Sequence, residues 1–305
     1  DENLGWVMKK NFSKDFVNHS LNNTEYLTTL TSTNERGYHF YEKPDLNKKK
    51  ILVLGDSFVI SQYHGNKSAW WNVLRKKINE KYEYQFYVAG APGYGNVQQL
   101  VLLKDIIKTV KPNIFIFGFC TYNDFYENNK NMAKLGIVRH QTKFRPNYDP
   151  KTKNIKRFDD LNSKIYRFLF NSYFFRKIDN IYMRIQQRIY NDYYKGSYGD
   201  LLNENITVTE AILEEMRELI GNEALFISVD CTMQPNDLNQ VWQKMIKKLN
   251  GHPVDKHREE FYKLTLSNKE LVHIDGFHLT AKGQQLYGEL LFDLIDKKYL
   301  ANENE

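Results

Sequence analysis

The chain has 305 residues and a formal charge of +6 at neutral pH. That length suits one large domain, or a domain with a substantial insertion, and can bury a core without staples. Two cysteines, Cys120 and Cys231, exclude a disulfide framework, and no run of 18 apolar residues offers a membrane span. The charge is not gathered into the basic stripe of a nucleic-acid binder, so no nucleic-acid partner is expected. Between Arg139 and Arg188, Lys and Arg alternate with aromatics, which reads as a solvated helical face. The first residue is Asp1 rather than Met. That suggests a processed or trimmed start, with a signal or anchor removed ahead of it as one reading; the compartment stays open, an extracytoplasmic one being favoured.

Residues 1–48 are polar, with few periodic apolar positions, and are expected to form an N-terminal arm packing on a core. A domain follows over 49–300, with an insertion or cap at about 125–205. Ile51-Leu52-Val53-Leu54 is a continuous apolar run ending at Gly55, the pattern of a strand buried on both faces. Helical spacing over Ser68 to Glu80 leads to a second strand, Tyr84 to Ala89, and a loop rich in breakers, Gly90 to Gly95. Val97 to Val110 is a predicted helix, and Ile114 to Phe117 a third strand. The rhythm stops over Phe125 to Asn205, where a hairpin turn is expected around Asn147-Tyr148-Asp149-Pro150 and an aromatic-rich helical stretch over Leu161 to Tyr194. It resumes with a helix over Thr209 to Ile220 closed by Gly221, a strand over Ala224 to Val229 and a helix over Leu238 to Leu249. A short terminal strand, Leu271 to Ile274, precedes a final helix, Ala281 to Ile295, with Thr280 as its N-cap. Alternating strands and helices at short spacing predict an α/β fold with a central parallel sheet and right-handed crossovers.

In such a sheet, ligands bind outside the carboxyl ends of the strands. Three strands end in residues ill-suited to a strand interior: Gly55-Asp56-Ser57, Gly90 through Asn96, and Thr121-Tyr122-Asn123-Asp124. A fourth polar turn, Asp275-Gly276-Phe277-His278, precedes the last helix. A serine hydroxyl is inert until a base takes its proton. His278 has the best context for that base, because a carboxylate three residues earlier, Asp275, can hold its Nδ1–H and leave Nε2 for Ser57. The N–H groups of Ser57, at the entry to a turn and helix, and of Gly93, with the side-chain amide of Asn123, would form an oxyanion hole. His64, Tyr94 and Tyr122 are candidate substrate contacts. His273 reads as a buried, hydrogen-bonded imidazole, Asp56 and Asp124 as carboxylates holding loop N–H groups, and the two cysteines as buried free thiols. His252 and His257 do not share a helix face and no His-Glu-x-x-His occurs, so no metal site is expected.

The order of these blocks resembles that of the SGNH (GDSL-type) hydrolases. Gly55-Asp56-Ser57-Phe58 looks like the nucleophile block, Ala89 through Asn96 like the glycine block with Gly93, and Tyr122-Asn123-Asp124 like the asparagine block. Asp275-Gly276-Phe277-His278 resembles the block that supplies both other triad members. The resemblance covers about residues 50 to 125 and 222 to 297. It extends to Leu4-Gly5-Trp6 and Asn34-Glu35-Arg36-Gly37-Tyr38, which look like lead-in segments of bacterial members. It implies a flavodoxin-like three-layer α/β/α sandwich and hydrolysis of carboxylic esters without metal or other cofactor. Thr121 stands where the family commonly has a glycine, and the insertion has no counterpart in the minimal family. The substrate, a small-molecule, glycan or lipid ester, therefore does not transfer by resemblance. An O-acyltransferase with the same triad, or a binding module on the same fold, stays open at this point.

Overall fold

The computed structural model describes residues 4, 7–30, 33–61, 63–121, 123–128, 145–156, scattered positions between 168 and 185, 198–231, 237–276 and 278–301. The chain divides into two compact units. One comprises Asp1–Val7, Gly95–Val101 and Asn123–Met216; the other comprises Met8–Tyr94, Leu102–Tyr122 and Arg217–Glu305.

In chain order the elements begin with strands β1 (Lys14–His19), β2 (Glu25–Leu30), β3 (Phe40–Tyr41) and β4 (Lys49–Gly55). Helix α1 (Trp70–Asn79), strand β5 (Tyr84–Gly90), helix α2 (Asn96–Ile106) and strand β6 (Ile114–Phe119) follow. Next come α3 (Asp124–Glu127), β7 (Asn147–Asp149), β8 (Asn154–Lys156) and α4 (Tyr198–Ile220). The chain closes with β9 (Leu225–Asp230), α5 (Leu238–Lys248), β10 (His252–Val254), α6 (Lys256–Ser267) and α7 (Ala281–Ile295).

A six-stranded sheet in the order β10-β9-β6-β4-β5-β3 forms the centre of the second unit. Five strands are parallel and β3 pairs antiparallel with β5 at the edge. Side chains alternate across a strand, and the two faces carry different partners. Ile51, Val53, Phe86, Val88, Ile114, Ile116, Ile227 and Val229 share one core with Trp70, Trp71 and Leu74 of α1, Phe261 of α6 and Tyr287, Leu291 and Ile295 of α7. On the opposite face the Trp242 indole of α5 donates to Ser228 Oγ at 3.0 Å. Helices thus flank both faces, giving the α/β/α layering expected from the sequence. Thr280 caps α7 by accepting from the Gly283 N–H.

Strand β4 lies between β5 and β6, so the chain leaves it first to one side and later to the other. The connections part at its carboxyl end, the topological position where ligands bind in such sheets, and Ser57 follows directly from it. The strand ends there approach very closely. A Cβ at Gly90 would lie 2.2 Å from the Gly55 carbonyl oxygen, and one at Gly55 or Gly118 would lie 2.3 Å from Val59 Cγ2. Glycines at these points let the nucleophile turn settle directly onto the sheet.

Three expectations need correction. The terminal parallel strand is β10, not 271–274. A tripeptide containing Pro253 carries no periodic signal, and proline is tolerated because β10 is an edge strand. Lys269–Leu271 is instead a 3-10 turn, and Val272 and His273 make single bridges to Leu279 and Ser20. Ser57 opens an isolated turn rather than a helix: Ile60 N–H donates to the Asp56 carbonyl at 3.1 Å, and α1 starts only at Trp70. The segment before residue 49 contributes the antiparallel β1–β2 hairpin as well as β3. In the insertion, Asn147–Asp149 is strand β7, paired with β8, so the turn falls after it. Most of the predicted 161–194 helix lies outside the described residues.

Candidate active site

The loop from His273 to His278 is tied across its base, where His273 N–H donates to the His278 carbonyl at 2.7 Å. Gly276 turns it with φ of 72°, a conformation glycine adopts without Cβ strain. Within it Asp275 Oδ1 accepts from the His278 backbone N–H at 2.9 Å, and Oδ2 lies 2.7 Å from His278 Nδ1. The carboxylate therefore grips the backbone and the ring of the same residue. The opposite ring nitrogen, Nε2, lies 3.0 Å from Ser57 Oγ. With Nδ1–H donating to the carboxylate, Nε2 carries the lone pair and accepts from the serine hydroxyl. Ser57 is only 9% exposed.

Packing fixes the imidazole from two sides. Phe58 stacks on it with centroids 4.7 Å apart, and Tyr63 meets it edge-on at 5.1 Å. Tyr63 also stacks on His273 at 4.2 Å, nearly parallel. Burial, then the nearby Asp275 charge, holds the Tyr63 phenol above its usual range, so it stays protonated beside the carboxylate. Asp275 N–H points at His273 Nδ1 at 3.3 Å, while His273 Nε2 faces Asn18 Oδ1 at 3.4 Å. Burial lowers the His273 pKa, which suits a neutral ring accepting at one nitrogen and donating at the other.

The β1–β2 hairpin braces this loop. Leu21 N–H donates to the Val272 carbonyl at 2.7 Å and Ile274 N–H to the His19 carbonyl at 2.9 Å. Tyr63, Asn18 and the hairpin were not foreseen. The alternating residues of β1 and β2 around Asn22-Asn23, with Asn23 at φ of 65°, are a hairpin signal the sequence does contain. Tyr63 carries no local signal. Replacing it with Phe keeps both ring contacts and removes the hydroxyl dipole beside the Asp275 charge, worth roughly 1 kcal/mol. Turnover of a chromogenic ester should fall about fivefold, and Tyr63→Ala should fall further. Equal kcat/KM for Tyr63→Phe and the parent chain would remove the hydroxyl from the site.

The remaining sequence candidates are placed as follows. Asp56 Oδ1 accepts from the Phe58 N–H at 3.0 Å, as expected of a loop-holding carboxylate. Gly93 has φ of 70° in the loop after β5. His64 and Tyr94 are buried and present no surface to a substrate in this conformation. Cys120 and Cys231 are free, buried thiols clustered with Phe58. Tyr122 lies outside the described residues. Asn123 belongs to the other unit, where it caps α3 and its carbonyl accepts from Tyr126 and Glu127 at 2.9 Å each. There Asp124 accepts from the Asn96 side chain at 3.1 Å, and Arg145 and Glu127 form a buried ion pair at 2.9 Å.

Burial lowers the imidazole of His64 to about 4, with the charges of His273 and His278 adding to the effect, and burial lowers His39 to about 4 as well. Their ordinary value is 6.5. As pH falls from there toward 4, the unfolded chain binds protons that the folded chain refuses, so stability falls. Each group contributes up to about 3 kcal/mol of this loss. Urea midpoints should drop between pH 7 and pH 4.5 by an amount that His39→Asn reduces; a midpoint independent of pH would contradict these burials.

Among the described residues, no three metal-ligating side chains converge, and no helix is long and apolar enough to cross a membrane. No family model matches the chain, and no curated protein matches it. Solved structures do. TesA is 14% identical over 82% of this chain and 99% of its own, with a TM-score of 0.46. A monoethylphosphonate-inhibited structure of the psychrotrophic esterase EstA from Pseudoalteromonas sp. is 13% identical over 82% of this chain and 98% of its own, with a TM-score of 0.47. A member of the lipolytic G-D-S-L family from Veillonella parvula is 11% identical over 82% of this chain and 99% of its own, with a TM-score of 0.44. The chain is thus similar, over about four fifths of its length, to solved structures of GDSL-type lipolytic proteins and esterases.

Proposed function

We propose that the protein is a serine-dependent hydrolase of carboxylic esters. The observation that carries this is the His278 ring, whose two nitrogens lie 2.7 Å from Asp275 and 3.0 Å from Ser57 Oγ. Ser57 Oγ attacks the ester carbonyl carbon as its proton passes to His278 Nε2, giving a tetrahedral oxyanion and an imidazolium paired with Asp275. Collapse breaks the bond to the alcohol, which leaves with the proton from Nε2, and an acyl-serine remains. Water, deprotonated by the same nitrogen, then attacks the acyl carbon and releases the acid and the serine. Keeping His64 and His273 neutral leaves the Asp275 charge free to stabilise the imidazolium. We assign the oxyanion to the backbone N–H groups of Ser57 and Gly93. The aromatic-rich insertion suits a glycan or extended acyl ester, because flat rings pack against both.

The test is hydrolysis of p-nitrophenyl esters from acetate to longer acyl chains, with mass detection of a phosphonate adduct on Ser57. Absence of both turnover and adduct overturns the proposal. Acyl transfer to an added sugar in place of free acid would make the enzyme an O-acyltransferase.

A further inference from the structure

His273 is buried beside the dyad, and its polar groups hold the loop that carries Asp275 and His278. Its N–H donates to the His278 carbonyl at 2.7 Å, and its carbonyl accepts from the Gly276 N–H at 2.8 Å. Nδ1 accepts from the Asp275 N–H at 3.3 Å, and Nε2 faces Asn18 Oδ1 of the β1–β2 hairpin at 3.4 Å. These partners fix one tautomer, with the proton on Nε2 and the lone pair on Nδ1. That lone pair is also 3.6 Å from Asp275 Oδ1. While neutral, the ring anchors the main chain of Asp275, whose Oδ2 lies 2.7 Å from His278 Nδ1. A proton taken from solvent at Nδ1 would set two N–H groups face to face and break the bond from the Asp275 N–H. The new N–H would then turn to Oδ1, which otherwise accepts from the His278 N–H at 2.9 Å. Two imidazoles would compete for one carboxylate.

Among the described residues, the titratable groups facing this ring are Asp275 and His278 of its own loop, His19 of the hairpin, and Tyr63 and His64 of the turn after Ser57. Burial, opposed by the Asp275 charge and reinforced by His278 and His19, lowers the ring from its ordinary 6.5. The charged form therefore belongs to acid solution.

We propose that His273 is a positioning residue that holds Asp275 against His278 and releases it on taking up a proton, adding a second acid shut-off to that of the base itself. This rests on the Ser57, His278 and Asp275 reading of the site. The experiment measures kcat and KM of the full chain on p-nitrophenyl acetate from about pH 8 to about pH 5. The acid limb of the parent should be steeper than one protonation gives. His273→Asn places an amide oxygen near the position of Nδ1 and cannot take a proton. It should keep kcat within about threefold at neutral pH and show the shallower limb. His273→Phe keeps a ring against Tyr63 but leaves the Asp275 N–H unpaired, and should lose about tenfold in kcat with little change in KM. A single-proton limb in the parent, an equally steep limb in His273→Asn, or full kcat in His273→Phe overturns the proposal.

Ring-nitrogen NMR in the Ser57→Ala chain makes the test independent of turnover. The His278 signals should shift in two stages as pH falls, and in one stage once His273→Asn is added. One stage in both chains overturns the proposal. Two stages in a parent chain that hydrolyses no ester would support the role of His273 and refute the hydrolase reading.

Discussion

Ser57→Ala should lower kcat on a chromogenic ester by roughly 10⁴- to 10⁶-fold while leaving thermal stability nearly unchanged. The substitution removes a single oxygen whose described partner is His278 Nε2 at 3.0 Å. The turn beneath is held by groups the change does not touch: Asp56 on the Phe58 N–H, the Ile60 N–H on the Asp56 carbonyl, and the Trp70 indole on the Phe58 carbonyl at 3.0 Å. Structure therefore persists when chemistry is lost. Residual hydrolysis should come only from polarisation of the carbonyl and attack by water, and the phosphonate adduct should vanish. Turnover within tenfold of the parent chain would mean that the nucleophile lies elsewhere.

Asp275→Asn should cost on the order of 10⁴-fold in kcat, with far less change in KM. The amide can still accept from the His278 backbone N–H as Asp275 Oδ1 does at 2.9 Å, so the loop keeps its shape. Its NH2, however, would point at Nδ1 in place of the carboxylate oxygen at 2.7 Å. The imidazole then accepts at Nδ1 and carries its proton on Nε2, where it cannot take one from Ser57. The negative charge that pairs with the imidazolium is lost as well. Asp275→Ala should cost at least as much in kcat and also loosen the loop. Near-normal kcat for Asp275→Asn would show that Phe58 and Tyr63 alone orient the ring productively.

The parts legible in the sequence are those whose signal is local. The β4 run ends in Gly55-Asp56-Ser57 within a few residues, and Asp275 and His278 sit three apart, so strand, nucleophile and dyad can each be read in a short window. Thr280 before Ala281 announces α7 in the same way. What escaped reading depends on partners far away in the chain. Strand β10 is three residues long and exists because β9 lies beside it. Helix α6 has a weakly sided pattern over Lys256–Ser267. Tyr63 has its role only because a loop more than 200 positions later folds over it.

The hairpin at the amino end and the loop at the carboxyl end meet through contacts such as Asn18 with His273, 255 positions apart, and Ser57 reaches its base across 221. Ser57 leaves the ribosome 221 residues before the imidazole that faces it. A nascent chain is therefore expected to be chemically silent until His278 has emerged, and closing so long a loop is a slow step in assembly. The β1–β2 hairpin serves as the latch that shuts on the loop carrying His278, so activity itself is expected to report that these distant segments have met.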